Sequence, residues 1–196
     1  MKSIMIAGVA GVGKTTMTGK LSEELCLKET DYADFMLQVL NDNSMTKDDL
    51  QTMSWEDRNS VYRQVEIYIE NMFLKSSQKG IQLMENHLSI IQNGDIKTFD
   101  VNDYRRYNLA GICVLESDPN IIAQRRLSDN TRHRVVEQVE LINKQQETNK
   151  VEALKVAEHY NIPLLFLDNA QNHMPIDAAK QWVESCIDLQ DQRLSL

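Results

Sequence analysis

The 196-residue chain has 42% hydrophobic and 26% charged residues, which excludes a disordered or fibrous protein and allows a sizeable buried core. Its formal net charge of −8, without a basic stripe, makes non-specific nucleic-acid binding and attachment to an anionic membrane poor candidate functions. The three cysteines form no CxxC pair, and no apolar run suits a signal peptide or membrane span, so we expect a soluble, cytoplasmic protein.

The first predicted strand, Ser3–Gly8, leads into a glycine-rich turn and then into a predicted helix over Lys14–Cys26. The turn reads GVAGVGKT from Gly8 to Thr15 and matches G-x-x-x-x-G-K-[ST], a pattern that binds nucleoside triphosphates. Its glycines let successive backbone N–H groups point inward at an anion, and the helix start adds the positive end of its dipole. The chain lacks the DxxG switch motif of GTPases, which favours ATP as the ligand.

Individual residues of this motif have separate predicted roles. Lys14 reaches the β- and γ-phosphates, the Thr15 hydroxyl ligates Mg²⁺, and Thr16 bonds a phosphate oxygen. The predicted cofactors are therefore ATP and Mg²⁺. The predicted nucleotide-binding residues are Gly8, Ala10, Gly11, Val12, Gly13, Lys14, Thr15 and Thr16.

A second predicted strand, Lys28–Asp31, is followed by the segment DYADFMLQVL and by a long predicted helix over Trp55–Lys75. We expect the region of about residues 31–75 to bind a phosphate acceptor, either a nucleotide or another small molecule. Arg58 and Arg63 are candidates to contact a phosphate group of that acceptor.

The third predicted strand, Gly80–Glu85, ends in a carboxylate that we expect beside the glycine-rich turn. Glu85 is a candidate to hold a magnesium-bound water or to position the acceptor, and the alternative is a solvated strand end. His87 either orients the acceptor or makes a local hydrogen bond.

The fourth predicted strand, Gly111–Glu116, is preceded by Tyr104-Arg105-Arg106-Tyr107. Two aromatic and two cationic residues permit base stacking, but we interpret this segment as an exposed helix end or a subunit contact.

An arginine-rich segment follows the fourth strand. Asp118-Pro119 predicts an N-cap and first turn of a helix that continues to about Leu127. Phosphoryl transfer requires cations that offset charge on the transferring group, and arginine supplies permanent planar donors. We predict a short lid over about residues 126–140 that closes on the glycine-rich turn, and the alternative is a solvated basic helix face. The candidate catalytic residues are Lys14, Arg126, Arg132 and Arg134.

The remaining chain predicts one or two helices over Val135–Tyr160, a fifth strand over Pro163–Asp168, and an amphipathic helix after Pro175. Asp168 competes with Glu85 as a site carboxylate, although a carboxylate at that strand edge more often caps a turn. Continuous apolar runs that alternate with helices predict an α/β fold with a doubly wound parallel sheet of five strands. We expect one domain over residues 1–196, with ligands bound at the carboxyl ends of the strands.

Four segments in this order and spacing resemble the adenylate-kinase-like P-loop kinases, and most closely the archaeal-type adenylate kinases. These segments are MKSIMIAGVAGVGKTT, DYADFMLQVL, ENHLSI and ESDPNIIAQRRLSDNTRHR. The resemblance covers nearly the whole chain and implies strand order 2-3-1-4-5, a short helical lid, and transfer of the ATP γ-phosphoryl group to a nucleoside monophosphate. It also implies a homo-oligomer, which in the archaeal group tends to be a trimer.

Two features differ from the archaeal pattern. Glu85-Asn86-His87 stands where those kinases usually have Asp-Thr-His, and Gln51 and Lys150 stand where they usually have arginines. An arginine that pairs bidentately with phosphate is not interchangeable with either residue. Three hypotheses therefore stay open: an adenylate kinase that converts ATP and AMP to two ADP, a P-loop kinase for another small molecule, and an ATP-binding regulatory module without efficient transfer.

Overall fold

The computed structural model describes residues 1–75, 80–128, 138–169 and 174–194. The strands are β1 (Lys2–Ala7), β2 (Lys28–Asp31), β3 (Ile81–Asn86), β4 (Ser89–Gln92), β5 (Asp95–Thr98), β6 (Leu109–Glu116) and β7 (Leu164–Asp168). The α-helices are α1 (Lys14–Leu25), α2 (Tyr32–Asp42), α3 (Lys47–Thr52), α4 (Trp55–Lys75), α5 (Pro119–Ser128), α6 (Val139–Tyr160) and α7 (Ile176–Leu194). A 3-10 helix spans Val101–Tyr107.

Five of the strands form a parallel sheet in the order β2-β3-β1-β6-β7. Counted within this sheet alone the order is 2-3-1-4-5, so the predicted fold class and strand order are confirmed. The central strands β1 and β6 are buried along almost their whole length, as continuous apolar runs require. The predicted strands agree with the observed ones to within about two residues at each end.

Helices cover both faces of the sheet, and successive side chains of β1 point to opposite faces. Met5 and Ala7 face a core that includes α4 and α6, whereas Ile4 and Ile6 face a core that includes α1 and α7. Within the described ranges, no helix is both long and apolar enough to cross a membrane.

An antiparallel hairpin of β4 and β5 lies outside the parallel sheet and was not predicted. Asn93 and Gly94 join its strands with φ of 52° and 81°, which is the two-residue turn that Asn-Gly favours. Buried polar contacts attach the hairpin to α6: Ser89 Oγ donates to Asn149 Oδ1 at 2.6 Å, and Gln145 Nε2 donates to the Ser89 carbonyl at 3.1 Å.

Our interpretation of Tyr104–Tyr107 as an exposed helix end is wrong. Tyr104 and Tyr107 are each 3% exposed within the 3-10 helix and belong to the core that packs against α4. Arg105 is the exposed residue of this segment, whereas Arg106 pairs with Glu66 at 2.6 Å and with Glu70 at 3.4 Å on α4.

Candidate functional site

The candidate site lies where the parallel strands end. Ala7, the last residue of β1, is in register with Asn86 of β3 and with Val114 of β6. The segment from Gly8 to Thr15, called the glycine-rich loop below, leaves β1 at this edge and enters α1. Residues that follow β3, β6 and β7 therefore surround it, as expected for a ligand site in an open parallel sheet.

Lys14 is folded onto the glycine-rich loop. Its ammonium donates to the carbonyl oxygens of Gly8 at 3.0 Å and Val9 at 3.2 Å, and the residue is only 8% exposed. A buried ammonium at the start of a helix, beside the backbone N–H groups of a glycine-rich loop, is suited to bind a polyanion.

The carboxyl end of α5 also contacts this loop. Arg126 Nε donates to the carbonyl oxygen of Ala10 at 2.8 Å, and Arg125 Nη1 donates to that of Val12 at 3.3 Å. Gly11 has φ of 81°, and a β-carbon there would lie 3.1 Å from Arg126 Cγ. The structure therefore brings Arg126 to the loop, whereas Arg132 and Arg134 lie outside the described residues.

Asn169, the first residue after β7, is a contact of the loop that the sequence analysis missed. Its side-chain amide donates to the Val12 carbonyl oxygen at 2.6 Å, and the residue is 3% exposed. Asp168, which we considered instead, is exposed. The sequence signal for Asn169 is its position directly after a predicted strand. Its neighbour Asp168 was considered instead because a carboxylate can contribute to a metal site.

Thr15 and Glu85 form the link between the loop and β3. The Thr15 hydroxyl donates to Glu85 Oε2 at 2.9 Å, and Glu85 is 7% exposed. Burial raises the pKa of the Glu85 carboxyl, Asp31 and Glu29 raise it further, and the Thr15 hydrogen bond and the Lys14 charge oppose the rise. Thr16 is exposed on the first turn of α1.

The two residues after Glu85 point to different neighbours. His87 Nδ1 lies 3.2 Å from the carbonyl oxygen of Gly8, within hydrogen-bonding distance. The Asn86 side chain hydrogen-bonds with Tyr107, and its Oδ1 accepts from the His87 backbone N–H at 2.7 Å. His87 therefore contacts the loop, and its role in orienting the acceptor stays a prediction.

Of the two arginines predicted to contact the acceptor, Arg58 is bonded to a neighbouring side chain and Arg63 is exposed. Arg58 Nε donates to the Tyr62 hydroxyl at 2.7 Å and lies over its ring, with 5.7 Å between the guanidinium carbon and the ring centroid. Arg63 is exposed on α4, and Lys150 pairs with Glu116 at 2.8 Å and with Glu147 at 3.1 Å. Gln51 lies within α3.

Comparison with known proteins assigns this architecture to a family. The family model described as AAA domain matches residues 7–143. Adenylate kinase of Thermoplasma volcanium is 30% identical over 158 residues, covering 76% of this chain and 80% of the relative. Adenylate kinase of Thermoplasma acidophilum is 29% identical over 154 residues, covering 76% of this chain and 79% of the relative.

A solved structure supports the fold alone. Shikimate kinase from Bacteroides thetaiotaomicron superposes with a TM-score of 0.53 at 12% identity, over 100% of this chain and 99% of that chain. At so low an identity the likeness extends to the sheet and its helices and says nothing about the substrate.

Proposed function

Since this chain belongs to the AAA-domain family and to the adenylate-kinase-like P-loop kinases, we propose that it transfers the γ-phosphoryl group of ATP to a nucleoside monophosphate, with AMP as the first acceptor. The observation that carries the proposal is the convergence of two cations on one loop. Lys14 is the first residue of α1 and Arg126 belongs to α5, and the side chains of both donate to carbonyl oxygens of the loop.

Phosphoryl transfer requires mainly positioning and charge stabilisation from the protein. In the proposed reaction the backbone N–H groups of the glycine-rich loop hold the β-phosphate, and Lys14 contacts the β- and γ-phosphates. Arg126 offsets the charge on the transferring group, together with Arg132 and Arg134 of the predicted lid. The attacking oxygen of a nucleoside monophosphate is already ionised at neutral pH, so no general base is needed.

Magnesium fits the oxygen donors at the end of β3. A hydroxyl and a carboxylate are ligands that Mg²⁺ prefers, and Thr15 and Glu85 present both within 2.9 Å of each other. Mg²⁺ commonly takes only one or two protein carboxylates and completes its shell with water and substrate phosphate. When bound, Mg²⁺ neutralises charge on the β- and γ-phosphates. We propose Thr15 as its ligand and Glu85 as the group that orients it.

The acceptor side favours a second candidate, a P-loop kinase for another small molecule. Lys150, which stands where archaeal-type kinases usually carry an arginine, is held by Glu116 and Glu147. Arg58 is likewise bonded to Tyr62. These contacts favour an acceptor that requires less phosphate recognition. An ATP-binding regulatory module without efficient transfer is the third candidate.

The test is an acceptor panel with ATP and Mg²⁺. ADP formation is measured with each nucleoside monophosphate, with shikimate and gluconate, and without acceptor. Stimulation by AMP supports the leading proposal, and stimulation by a non-nucleotide alcohol supports the second. Tight ATP binding without stimulation by any acceptor supports the regulatory module. The predicted homo-oligomer is measured in the same preparation by light scattering after size-exclusion chromatography.

A further inference from the structure

We propose that Asn169 is a positioning residue of the glycine-rich loop, which fixes the Val12–Gly13 peptide so that its N–H group faces a bound phosphate. The inference rests on the proposed phosphate-binding function of this loop. It adds a residue from the opposite end of the chain, since Asn169 is separated from Val12 by 157 positions.

The argument begins with the geometry of the peptide group. A trans peptide is planar, and its C=O and N–H bonds point in opposite directions. A loop can therefore turn its N–H groups toward an anion only if the carbonyl oxygens of the preceding residues turn away from it. Those carbonyl oxygens need hydrogen-bond donors, because an unsatisfied buried carbonyl costs roughly 1–3 kcal/mol.

Four carbonyl oxygens of the loop accept hydrogen bonds from side chains. Those of Gly8 and Val9 accept from Lys14, and that of Ala10 accepts from Arg126. The carbonyl of Val12 accepts from Asn169 at 2.6 Å and, over the longer distance of 3.3 Å, from Arg125. Asn169 is the neutral member of this set, so its contribution is orientation without charge.

Asn169 is itself fixed by its backbone. Its N–H donates to the Glu116 carbonyl at 2.7 Å, and its own carbonyl accepts from the Ser117 hydroxyl at 2.8 Å. Gln146 in turn bonds both backbone groups of Ser117, at 3.0 Å and 2.9 Å. With its main chain held on both sides, the Asn169 amide is presented to the loop from a rigid support.

Gly13 matches Asn169 sterically. Its φ is 107°, and a β-carbon at this position would collide with the Asn169 side-chain amide. The absence of a side chain at residue 13 therefore serves two purposes: it permits the backbone conformation and it admits the amide that holds the adjoining carbonyl.

The experiment compares Asn169→Leu and Asn169→Ala with Ser3→Ala. Asn169→Leu keeps a side chain of similar shape and removes the donor without adding a charge, whereas Ser3→Ala removes a buried hydrogen bond to the Tyr107 carbonyl at the end of β1 opposite the loop. Affinities for ATP with Mg²⁺ and for inorganic tripolyphosphate are measured by calorimetry, and unfolding temperatures are recorded for all proteins. Two Asn169 variants are used so that one that fails to fold does not end the test.

We expect both Asn169 variants to bind ATP and tripolyphosphate about tenfold or more weakly, since one oriented hydrogen bond is worth roughly one factor of ten. Ser3→Ala should retain nearly the wild-type affinity even where its unfolding temperature falls. Equal affinities for Asn169→Ala and Ser3→Ala would overturn the inference and leave only a structural role. Wild-type protein that binds neither ligand would contradict the proposed function itself. If no acceptor stimulates ADP formation but the wild-type protein binds tripolyphosphate and the Asn169 variants bind it more weakly, the proposed transfer reaction fails and the role of Asn169 is supported.

Discussion

The Thr15 hydroxyl and the Glu85 carboxylate are joined by a hydrogen bond of 2.9 Å between α1 and the end of β3. This contact fixes the rotamer of the residue that directly follows Lys14. The two predicted magnesium-site residues therefore lie on different elements, Thr15 on α1 and Glu85 on β3. Their distance depends on the pairing of β1, which leads into α1, with β3.

Replacing Thr15 with valine should raise the Mg²⁺ concentration for half-maximal activity by about tenfold or more, because a direct ligand is lost. Thr15→Ser keeps the hydroxyl and is the matched control. Activity is measured during a Mg²⁺ titration at saturating ATP, and Glu85→Gln should shift the same midpoint in the same direction. An unchanged midpoint in Thr15→Val would remove Thr15 from the site.

Lys14→Ala should lower the rate of phosphoryl transfer by about 100-fold or more, since it removes the cation that we place at the β- and γ-phosphates. The fold should persist, as seen by circular dichroism. Lys20→Ala is the control, because Lys20 is exposed on the same helix, and its kcat should match that of the wild type. Full activity in Lys14→Ala would sink the proposed mechanism.

Arg126→Ala should reduce kcat by about 100-fold, and Arg126→Lys should recover little of it, because an ammonium does not reproduce the planar donor set of a guanidinium. Leu127→Ala changes the adjacent residue, which is 61% exposed, and should leave kcat unchanged. Steady-state kinetics at saturating substrates measure kcat for all three variants. Comparable losses of kcat in Arg126→Ala and Leu127→Ala would indicate a general effect on α5.

Gly13→Ala should destabilise the protein more than Gly80→Ala, although the two glycines have similar φ of 107° and 124°. Each substitution incurs strain of roughly 1–3 kcal/mol from a positive φ. At Gly80 nothing lies within 4 Å of an added β-carbon, whereas at Gly13 the Asn169 amide occupies the space. Urea unfolding measures both free energies. Equal losses would show that Asn169 moves aside without cost.

Glu66 should make stability depend on pH. Burial, and next the charge of Asp103, raise the pKa of this 3%-exposed carboxyl from 4.5 to about 7, against the opposing effect of Arg106. A carboxyl whose pKa is higher in the folded state contributes stability that is complete below about pH 4.5 and is lost as the pH rises through about 7. The loss is on the order of 3 kcal/mol.

Glu66→Gln should remove this dependence, so the variant should gain stability relative to wild type as the pH rises across that interval. Free energies of unfolding from urea titrations at several pH values measure the difference. Glu70→Gln, which removes the more exposed contact of the same Arg106, should follow the wild-type slope. A constant difference between Glu66→Gln and wild type at all pH values would contradict the prediction.

The inner strands of the parallel sheet were predictable because burial on both faces requires continuous apolar runs, and such runs are visible in a single sequence. The same holds for α4, whose predicted and observed bounds agree at Trp55 and Lys75. The β4–β5 hairpin was missed although Asn93-Gly94 is a strong turn signal, because its strands are four residues long and at least half of the residues in each are polar.

The loop itself was predictable because its motif is local, whereas its hydrogen-bond donors come from distant parts of the chain. Arg126 was identified through its charge, but Asn169 carries none and has no periodic signal. Tyr104 and Tyr107 were misinterpreted because the neighbouring Arg105 and Arg106 suggested exposure. In a 3-10 helix residues three apart lie on the same side, so both tyrosines face the core together.

The span between Val12 and Asn169 has a consequence for synthesis on the ribosome. β1 and the glycine-rich loop are made early, but β1 pairs with β3 and β6, and the loop gains its last donor only after β7 is made. A nascent chain therefore completes its central strand late, through contacts of high sequence separation that close slowly. ATP added during translation should protect the loop from proteolysis only once Asn169 has left the exit tunnel.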